Sequence, residues 1–154
     1  MTIKIRNKNI KTRIYNTILN SGQKETKEKI FLKSQKKIQK MTTKNNSKIL
    51  KLAIKNTSPA FKINKQKMKR RKKKAVKEIP YFIKNDFFRI NTAIKHITLN
   101  SKSNSEFSNF YSKFSQEIMK SSRSKSESIV QKTEIQKRAL LKKNLFFKFR
   151  WKKR

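Results

Sequence analysis

The chain is short and strongly basic: its 154 residues include 44 Lys and Arg but only 8 Asp and Glu, for a formal net charge of +36 at pH 7. Ile, Leu, Val and Phe make up about a quarter of it, which is above the range typical of disordered chains and allows one domain with a modest core. Like charges repel in a compact state, so we expect stability to depend on a bound polyanion. Because there is no cysteine, disulfides and thiolate sites are excluded.

The polyanion is either nucleic acid or a membrane surface. No apolar run approaches the length that spans a bilayer, although basic amphipathic helices can lie on anionic lipid. Charge spread along the whole chain favours a polymer that wraps around it. RNA is favoured over DNA because the sequence has neither zinc-finger spacing nor a heptad zipper.

The first third of the chain predicts a basic arm, residues 1–9, followed by three helices. The arm lacks the apolar segment of a secretory signal, so we expect no such signal. The predicted helices cover about Ile10–Asn20, Glu25–Met41 and Ser47–Asn56. Gly22 suits the end of the first helix, Ser47 suits the N-cap of the third, and Pro59 blocks its continuation. The predicted buried faces are Ile30, Phe31, Ser34, Ile38 and Met41 in the second helix and Ile49, Leu52, Ala53 and Asn56 in the third.

Residues 60–80 break the helical period and alternate between apolar and polar side chains. Phe61 and Ile63 share one side of a predicted strand, and the alternation resumes around Val76. Between them, eight of the ten residues Lys65–Lys74 are Lys or Arg. We expect a β-hairpin or extended arm with a long charged tip, because no glycine marks a tight turn. This run is interpreted as a phosphate contact; the alternative is a solvated loop or a tract like a nuclear-localisation signal.

The helical pattern returns after Pro80. Asp86 can cap a helix whose predicted apolar residues are Phe87, Ile90, Ala93, Ile94 and Ile97. Ser103 and Glu106 form a capping box before the next helix, whose stripe is Phe107, Phe110, Tyr111, Phe114 and Ile118. A loop over Ser121–Ser128 and a last helix over about Val130–Phe149 follow, and residues 152–154 form a basic tail.

The sequence favours no enzymatic function. The eight acidic residues mostly lie beside lysines or at helix starts, where they cap or pair. His96 is the only histidine, so no histidine-based metal site can form, and a lone helical histidine is more often a packing or surface residue than a base. No phosphate-binding loop, dinucleotide fingerprint or nucleophile elbow is present. We therefore predict no catalytic residue, metal or cofactor.

An aromatic cluster closes the chain, with Phe146, Phe147, Phe149 and Trp151 between basic residues. Aromatics at helical spacing are usually core, so we interpret the cluster as core; stacking on bases or contact with a protein neighbour are the alternatives. Lysine outnumbers arginine by 35 to 9. Because lysine acts as a point charge, we expect recognition to depend on RNA shape and backbone path.

Four segments in this order resemble the family of small-subunit ribosomal protein seven, in an organellar form. The segment KTEIQKRALLKKNLFFKFRW resembles the family's last helix, which ends in a Phe-x-x-Tyr-Arg-Trp-like pattern: Phe146, Arg150 and Trp151 match it, and Phe149 replaces the Tyr. LAIKNTSPAFKIN, at 52–64, resembles the exit of the third helix. AIKHI, at 93–97, is similar to the fourth helix, and IYNTILNSGQK, at 14–24, to the first helix and its turn. The resemblance spans about residues 13–151.

The resemblance implies a mainly α fold, a bundle of about six helices over residues 10–151 with a protruding β-hairpin, about 60–80, between the third and fourth. It implies a structural protein that binds the 3′ major domain of small-subunit rRNA, helps to start head assembly and lies near the exit-site tRNA and the mRNA. Head proteins nine, thirteen and nineteen and platform protein eleven would be neighbours, with no membrane span. The abundance of Ile, Asn, Lys and Phe suggests an AT-rich genome and favours a mitochondrial location; a plastid is the alternative.

Carried onto this chain, the resemblance makes the basic arm, the hairpin and the C-terminal tail the RNA contacts. The candidate RNA-binding residues are Lys4, Arg6, Lys8, Lys11, Arg13, Lys65, Lys67, Lys69, Arg70, Arg71, Lys72, Lys73, Lys74, Arg150, Lys152, Lys153 and Arg154. The chain departs from the family in three ways: it lacks glycines at the hairpin tip, its arm is shorter, and lysines occupy helical positions usually held by acids, as in Lys33–Lys40. A general histone-like nucleic-acid-binding protein is the alternative function, and a membrane-active cationic protein is a third.

Overall fold

The computed structural model describes residues 7–18, 24–43, 45–70, 73–103 and 109–148. These residues form six α-helices and one antiparallel hairpin, which lies between the third and fourth helices as expected. The elements are α1 (Asn7–Ile18), α2 (Lys24–Met41), α3 (Asn46–Thr57), β1 (Phe61–Arg70), β2 (Lys73–Phe82), α4 (Asp86–Ser103), α5 (Phe110–Ser122) and α6 (Glu127–Leu141), followed by a 3-10 helix (Lys143–Lys148).

The core is formed where α5 packs against α2, α3 and α4, with α1 completing it beside α4. Phe114 and Ile118 of α5 are each only 1% exposed. Phe31 of α2 is buried as predicted, and the ring of Tyr15 in α1 meets it edge-on at 5.4 Å between centroids. The helical period of the sequence therefore identifies the packing faces, because residues three and four apart share one side of a helix.

Three residues predicted on buried faces are instead exposed: Met41, Leu52 and Phe87. Each lies at the edge of an apolar stripe whose central residues are buried. In α3, for example, Ile49 and Ala53 reach the core while Leu52 faces away from it. A helix packs only part of its surface against its neighbours, so periodicity alone makes the buried stripe too wide.

The caps of the helices differ from three predictions. Asn85, not Asp86, caps α4, because its side-chain oxygen accepts a 2.8 Å hydrogen bond from the N–H of Phe87. Asn45, not Ser47, caps α3, because its side-chain oxygen accepts a 3.0 Å hydrogen bond from the backbone N–H of Ser47. The predicted capping box at Ser103 is wrong: Ser103 is the last residue of α4, and its hydroxyl donates to the carbonyl of Asn100 at 3.0 Å. Asn109 is the N-cap residue of α5, whereas Glu106 and Phe107 lie outside the described residues, as does Gly22.

The last helix begins earlier and ends earlier than predicted. It starts at Glu127, and α5 ends at Ser122, so only residues 123–126 of the predicted loop over 121–128 lie outside helices. The last helix stops at Leu141 rather than near Phe149. At its end the N–H of Lys142 donates to the carbonyls of Ala139 and Leu140, a tightened last turn that leads into the 3-10 helix. The side chains of the predicted aromatic cluster lie outside the description.

Two junctions fix where the hairpin leaves the bundle. The side-chain amide of Asn56, at the end of α3, donates to the carbonyls of Ser121 and Ser122 at 3.1 and 3.2 Å, which ties α3 to the end of α5. Lys132 of α6 donates to the carbonyl of Asn56 at 2.6 Å, and burial lowers the pKa of that amine. A cation at the C-terminal end of a helix is favourable because the helix dipole is negative there.

Candidate RNA interface

The hairpin is a continuous antiparallel ladder that starts at the pair Phe61 and Phe82 and reaches the pair Arg70 and Lys73. The strands thus run through the charged segment, and the predicted long tip is wrong, since only residues 71 and 72 separate the paired positions. The absence of glycine led to the wrong prediction of a long tip, because the register of a ladder depends on all its residue pairs and not on its turn alone.

Basic residues stand opposite one another at the far end of this ladder. Lys69 pairs with Lys74 and Arg70 pairs with Lys73 in the register. Like charges directly across a ladder destabilise it, so these positions favour a neighbouring anion. A phosphate backbone supplies such an anion and releases its own counterions when it is neutralised.

The middle of the hairpin is held against the C-terminal end of α6 by Glu78, which pairs with Lys65 at the fifth of the ten positions of the ladder. Its carboxylate accepts a 2.5 Å hydrogen bond from Lys142 and lies 4.0 Å from the amine of Lys65. The hydrogen bond from Lys142, helped by the positive charges of Lys142, Lys65 and Arg138, lowers the pKa of Glu78. Lys65, a predicted RNA contact, therefore also neutralises an acid of its own hairpin.

The structure places only some of the other predicted contacts. Lys11 is exposed on α1, while Arg13 is half-buried with its guanidinium 4.0 Å from the centre of the Phe87 ring. The backbone, but not the side chain, is described for Lys8, Lys67, Lys69, Arg70, Lys73 and Lys74. Outside the described residues lie Lys4, Arg6, Arg71, Lys72, Arg150, Lys152, Lys153 and Arg154.

A basic stripe on α2 was not among the predicted contacts. Lys29, Lys33, Lys36 and Lys40 are all exposed and follow one another at helical spacing. They form a line about 16 Å long on one side of the helix. The sequence shows the spacing of this stripe, because lysine recurs every three or four residues. The stripe is recognised as a surface only when the opposite face of the helix is seen to be buried.

A second surface missed by sequence reasoning lies at the base of the hairpin, where α4 begins. We call it the hairpin-base cleft; it has a volume of about 390 Å³ and is lined by Lys62, Tyr81, Phe82, Lys84, Phe88 and Thr92, among others. It combines exposed aromatic surface with two exposed lysines, Lys62 and Lys84. Aromatic rings beside cations are typical of surfaces that bind single-stranded nucleic acid.

The most connected buried polar groups form a chain of hydrogen bonds between α4, α5 and α6. His96 shares a 3.0 Å hydrogen bond with the side-chain oxygen of Gln131, whose amide donates to Asn100 at 2.8 Å. Asn100 donates to Ser128 at 3.0 Å, and Ser128 donates to Glu117 at 2.5 Å. Burial lowers the pKa of His96. These hydrogen bonds hold the three helices together, and they leave only Nε2 of His96 in this hydrogen-bonded chain buried without a partner.

Neither a metal-binding cluster nor a membrane-spanning helix is found among the described residues. They contain no cluster of three or more His, Cys, Asp and Glu side chains that suits a metal ion. None of their helices combines the length and apolar character that a bilayer crossing requires.

Comparison with known protein families identifies the family of the chain. The sequence model of the family described as Ribosomal protein S7p/S5e matches residues 1–143, nearly the whole chain. The C-terminal pattern at 146–151 lies beyond the matched residues. No curated protein sequence matches at a significant level. The chain therefore belongs to the Ribosomal protein S7p/S5e family, whose role is that of an rRNA-binding structural protein of the small ribosomal subunit and not of an enzyme.

Proposed function

We propose that this protein is a structural constituent of a mitochondrial small ribosomal subunit. In this role it binds the 3′ major domain of the rRNA and helps to start assembly of the head. The observation that carries the proposal is the family match over residues 1–143 together with a net charge of +36. A helical bundle with a basic hairpin suits the meeting point of several rRNA helices.

The mechanism is charge neutralisation on a preformed scaffold. A nearby anion would stabilise both the hairpin pairs of like charge and the lysine stripe of α2, and rRNA phosphates supply one. Because most of the cations are lysines, they follow the path of the backbone rather than read bases. The bundle then fixes the geometry in which rRNA helices approach each other.

The position near the exit-site tRNA and the mRNA path is part of the same proposal, and the hairpin is the element that reaches towards them. Head proteins nine, thirteen and nineteen and platform protein eleven are the proposed protein neighbours. The proposed location is the mitochondrial matrix, supported by the AT-like bias towards Ile, Asn, Lys and Phe; a plastid is the alternative.

The test is crosslinking of the protein to RNA in native extracts of the source organism, with sequencing of the bound fragments. We expect reads concentrated towards the 3′ end of one small-subunit rRNA, and the organelle that encodes this rRNA gives the location. Reads scattered over DNA and unrelated RNAs would contradict the proposal and support a general polyanion binder.

A binding experiment in vitro separates shape recognition from simple charge attraction. We expect the protein to bind a folded 3′ major-domain fragment more tightly than an unstructured RNA of equal length, with an affinity that falls steeply as salt increases. Equal affinities for the two RNAs at every salt concentration would refute shape recognition.

A further inference from the structure

We propose that the hairpin-base cleft holds one unpaired rRNA nucleotide, with its base stacked on the ring of Phe88 and its phosphate beside Lys62 and Lys84. The inference rests on the proposed rRNA-binding function and deepens it by naming a nucleotide site. Base stacking is a different kind of contact from the phosphate contacts that the net charge and the hairpin ladder support.

The first observation is the exposure of Phe88. This ring is 59% exposed in the first turn of α4, although burial of a phenylalanine side chain is normally favourable. Phe87 beside it is also exposed, and the two rings meet edge-on at 5.7 Å between centroids. The guanidinium of Arg13 lies over the ring of Phe87. Adjacent exposed aromatic rings of this kind mark a binding surface.

The second observation is that the local backbone holds Phe88 in place. The side-chain oxygen of Asn85 accepts a 2.8 Å hydrogen bond from the N–H of Phe87, which caps the start of α4. One turn later the hydroxyl of Thr92 donates to the carbonyl of Phe88 at 2.8 Å. A ring carried on a capped helical turn loses little conformational entropy when a base stacks on it.

The third observation is the shape of the cleft beside the ring. Its volume of about 390 Å³ lies near the lower end of the range for small-ligand pockets, about 300–1,000 Å³. The wall on the hairpin side includes Phe82, which Phe61 supports edge-on at 5.8 Å between centroids. The strand end is closed by a 2.9 Å hydrogen bond from the N–H of Ile83 to the carbonyl of Ala60. The walls are therefore formed before a ligand arrives.

Charge identifies the ligand as a nucleotide rather than an apolar peptide. Lys62 and Lys84 are exposed at the cleft, and no carboxylate is among its described lining residues. A base offers a flat face to Phe88 while its phosphate meets the lysines. The base has to be unpaired, because bases within an RNA duplex already stack on their neighbours. Stacking is tolerant of sequence, so the site selects an extruded nucleotide by shape.

The experiment compares Phe88→Leu with Phe88→Trp in binding to the folded 3′ major-domain rRNA fragment at a fixed salt concentration. Leucine keeps apolar bulk but loses the aromatic face, so we expect about five- to 150-fold weaker binding, the range measured for one stacked base. The slope of affinity against salt should stay unchanged because no phosphate contact is lost. Phe88→Trp should bind at least as tightly as the unsubstituted protein.

Leu99 supplies the matched control, because it is 60% exposed on the same helix and lies outside the cleft. We expect Leu99→Ala to bind RNA normally. Chemical probing of the bound fragment should show one unpaired nucleotide that is protected by the unsubstituted protein and exposed with Phe88→Leu. Circular dichroism confirms that each variant is folded.

Three outcomes would overturn the inference. If the unsubstituted protein prefers the rRNA fragment and Phe88→Leu binds it equally well, the nucleotide site is wrong while the proposed function stands. The nucleotide site is also wrong, and the proposed function stands, if Phe88→Leu binds RNA normally but fails to recruit a neighbouring ribosomal protein. This result would show that the cleft binds a protein. If the unsubstituted protein shows no preference for the fragment, the proposed function fails, and the nucleotide site fails with it.

Discussion

Glu117 offers the sharpest test of how the bundle is held together. This glutamate of α5 is only 4% exposed, and its carboxylate accepts hydrogen bonds from the hydroxyl of Ser128 at 2.5 Å and from its backbone N–H at 3.4 Å. Ser126, the N-cap residue of α6, makes no side-chain cap bond of its own. A residue of one helix therefore provides the cap of the next.

The cost of removing this cap follows from two contributions. A hydrogen bond to a charged group contributes about 1.5–3 kcal/mol, and a negative charge at a helix N-terminus contributes about 0.3–1 kcal/mol. We therefore expect Glu117→Ala to lower the free energy of unfolding by about 2–4 kcal/mol. Glu117→Gln keeps an acceptor oxygen and loses the charge, so its cost should be about half as large.

The assay is urea unfolding followed by far-ultraviolet circular dichroism, in sulfate buffer that screens the excess positive charge. The matched control is Glu134→Gln, because Glu134 forms an exposed ion pair with Arg138 at 3.3 Å in α6, worth no more than about 0.5 kcal/mol. A Glu117→Ala variant within about 0.5 kcal/mol of the unsubstituted protein would refute the capping role.

The remaining predictions concern the core, the pH dependence of stability, the contact of Asn56 with α5 and the contact of Glu78 with Lys142. Phe114→Ala should lower the free energy of unfolding by about 3–5 kcal/mol in the same assay, since the ring is 1% exposed; a loss below about 1 kcal/mol would show that the core does not depend on it. Burial lowers the pKa of His96 below its ordinary 6.5, so the unfolded chain binds more protons than the folded protein at mildly acidic pH. The free energy of unfolding should therefore fall as the pH drops from 7 towards the pKa of the folded protein. Thermal melting of His96→Gln at the same pH values should lack this fall. Asn56→Ala should cost about 1–3 kcal/mol, measured by urea unfolding, because the carbonyls at the end of α5 lose their donor. Glu78→Gln should loosen the middle of the hairpin and speed hydrogen exchange in β2, with no change in α5; equal exchange in both proteins would contradict the anchoring role.

The sequence predicted the helices and most of the core because both depend on local periodicity. Phe31, Ser34 and Ile38 repeat at helical spacing, and all three are buried. Contacts between distant residues were not predictable in this way. Glu117 was expected to cap or pair as the other acids do, yet its partner, Ser128, lies across a turn on the next helix.

The candidate interface could be proposed from the sequence only in part for the same reason. Density of charge marked the hairpin as a candidate, because eight cations in ten residues are visible in the sequence alone. The hairpin-base cleft was missed because it joins Lys62 of one strand to Phe88 of a helix, and only the fold brings them together. Phe87 was assigned to the core by its spacing, whereas in the structure it is exposed beneath the guanidinium of Arg13.

The anchor at the middle of the ladder makes the outer half of the hairpin a lever. Five pairs lie beyond the pair of Lys65 and Glu78, so this half extends about 17 Å from the anchor. Over that length, a rotation of about 5° at the anchor displaces the far end by roughly 1.5 Å, half the length of a hydrogen bond. Loss of the short ion pair between Glu78 and Lys142 therefore shows at the far end of the arm.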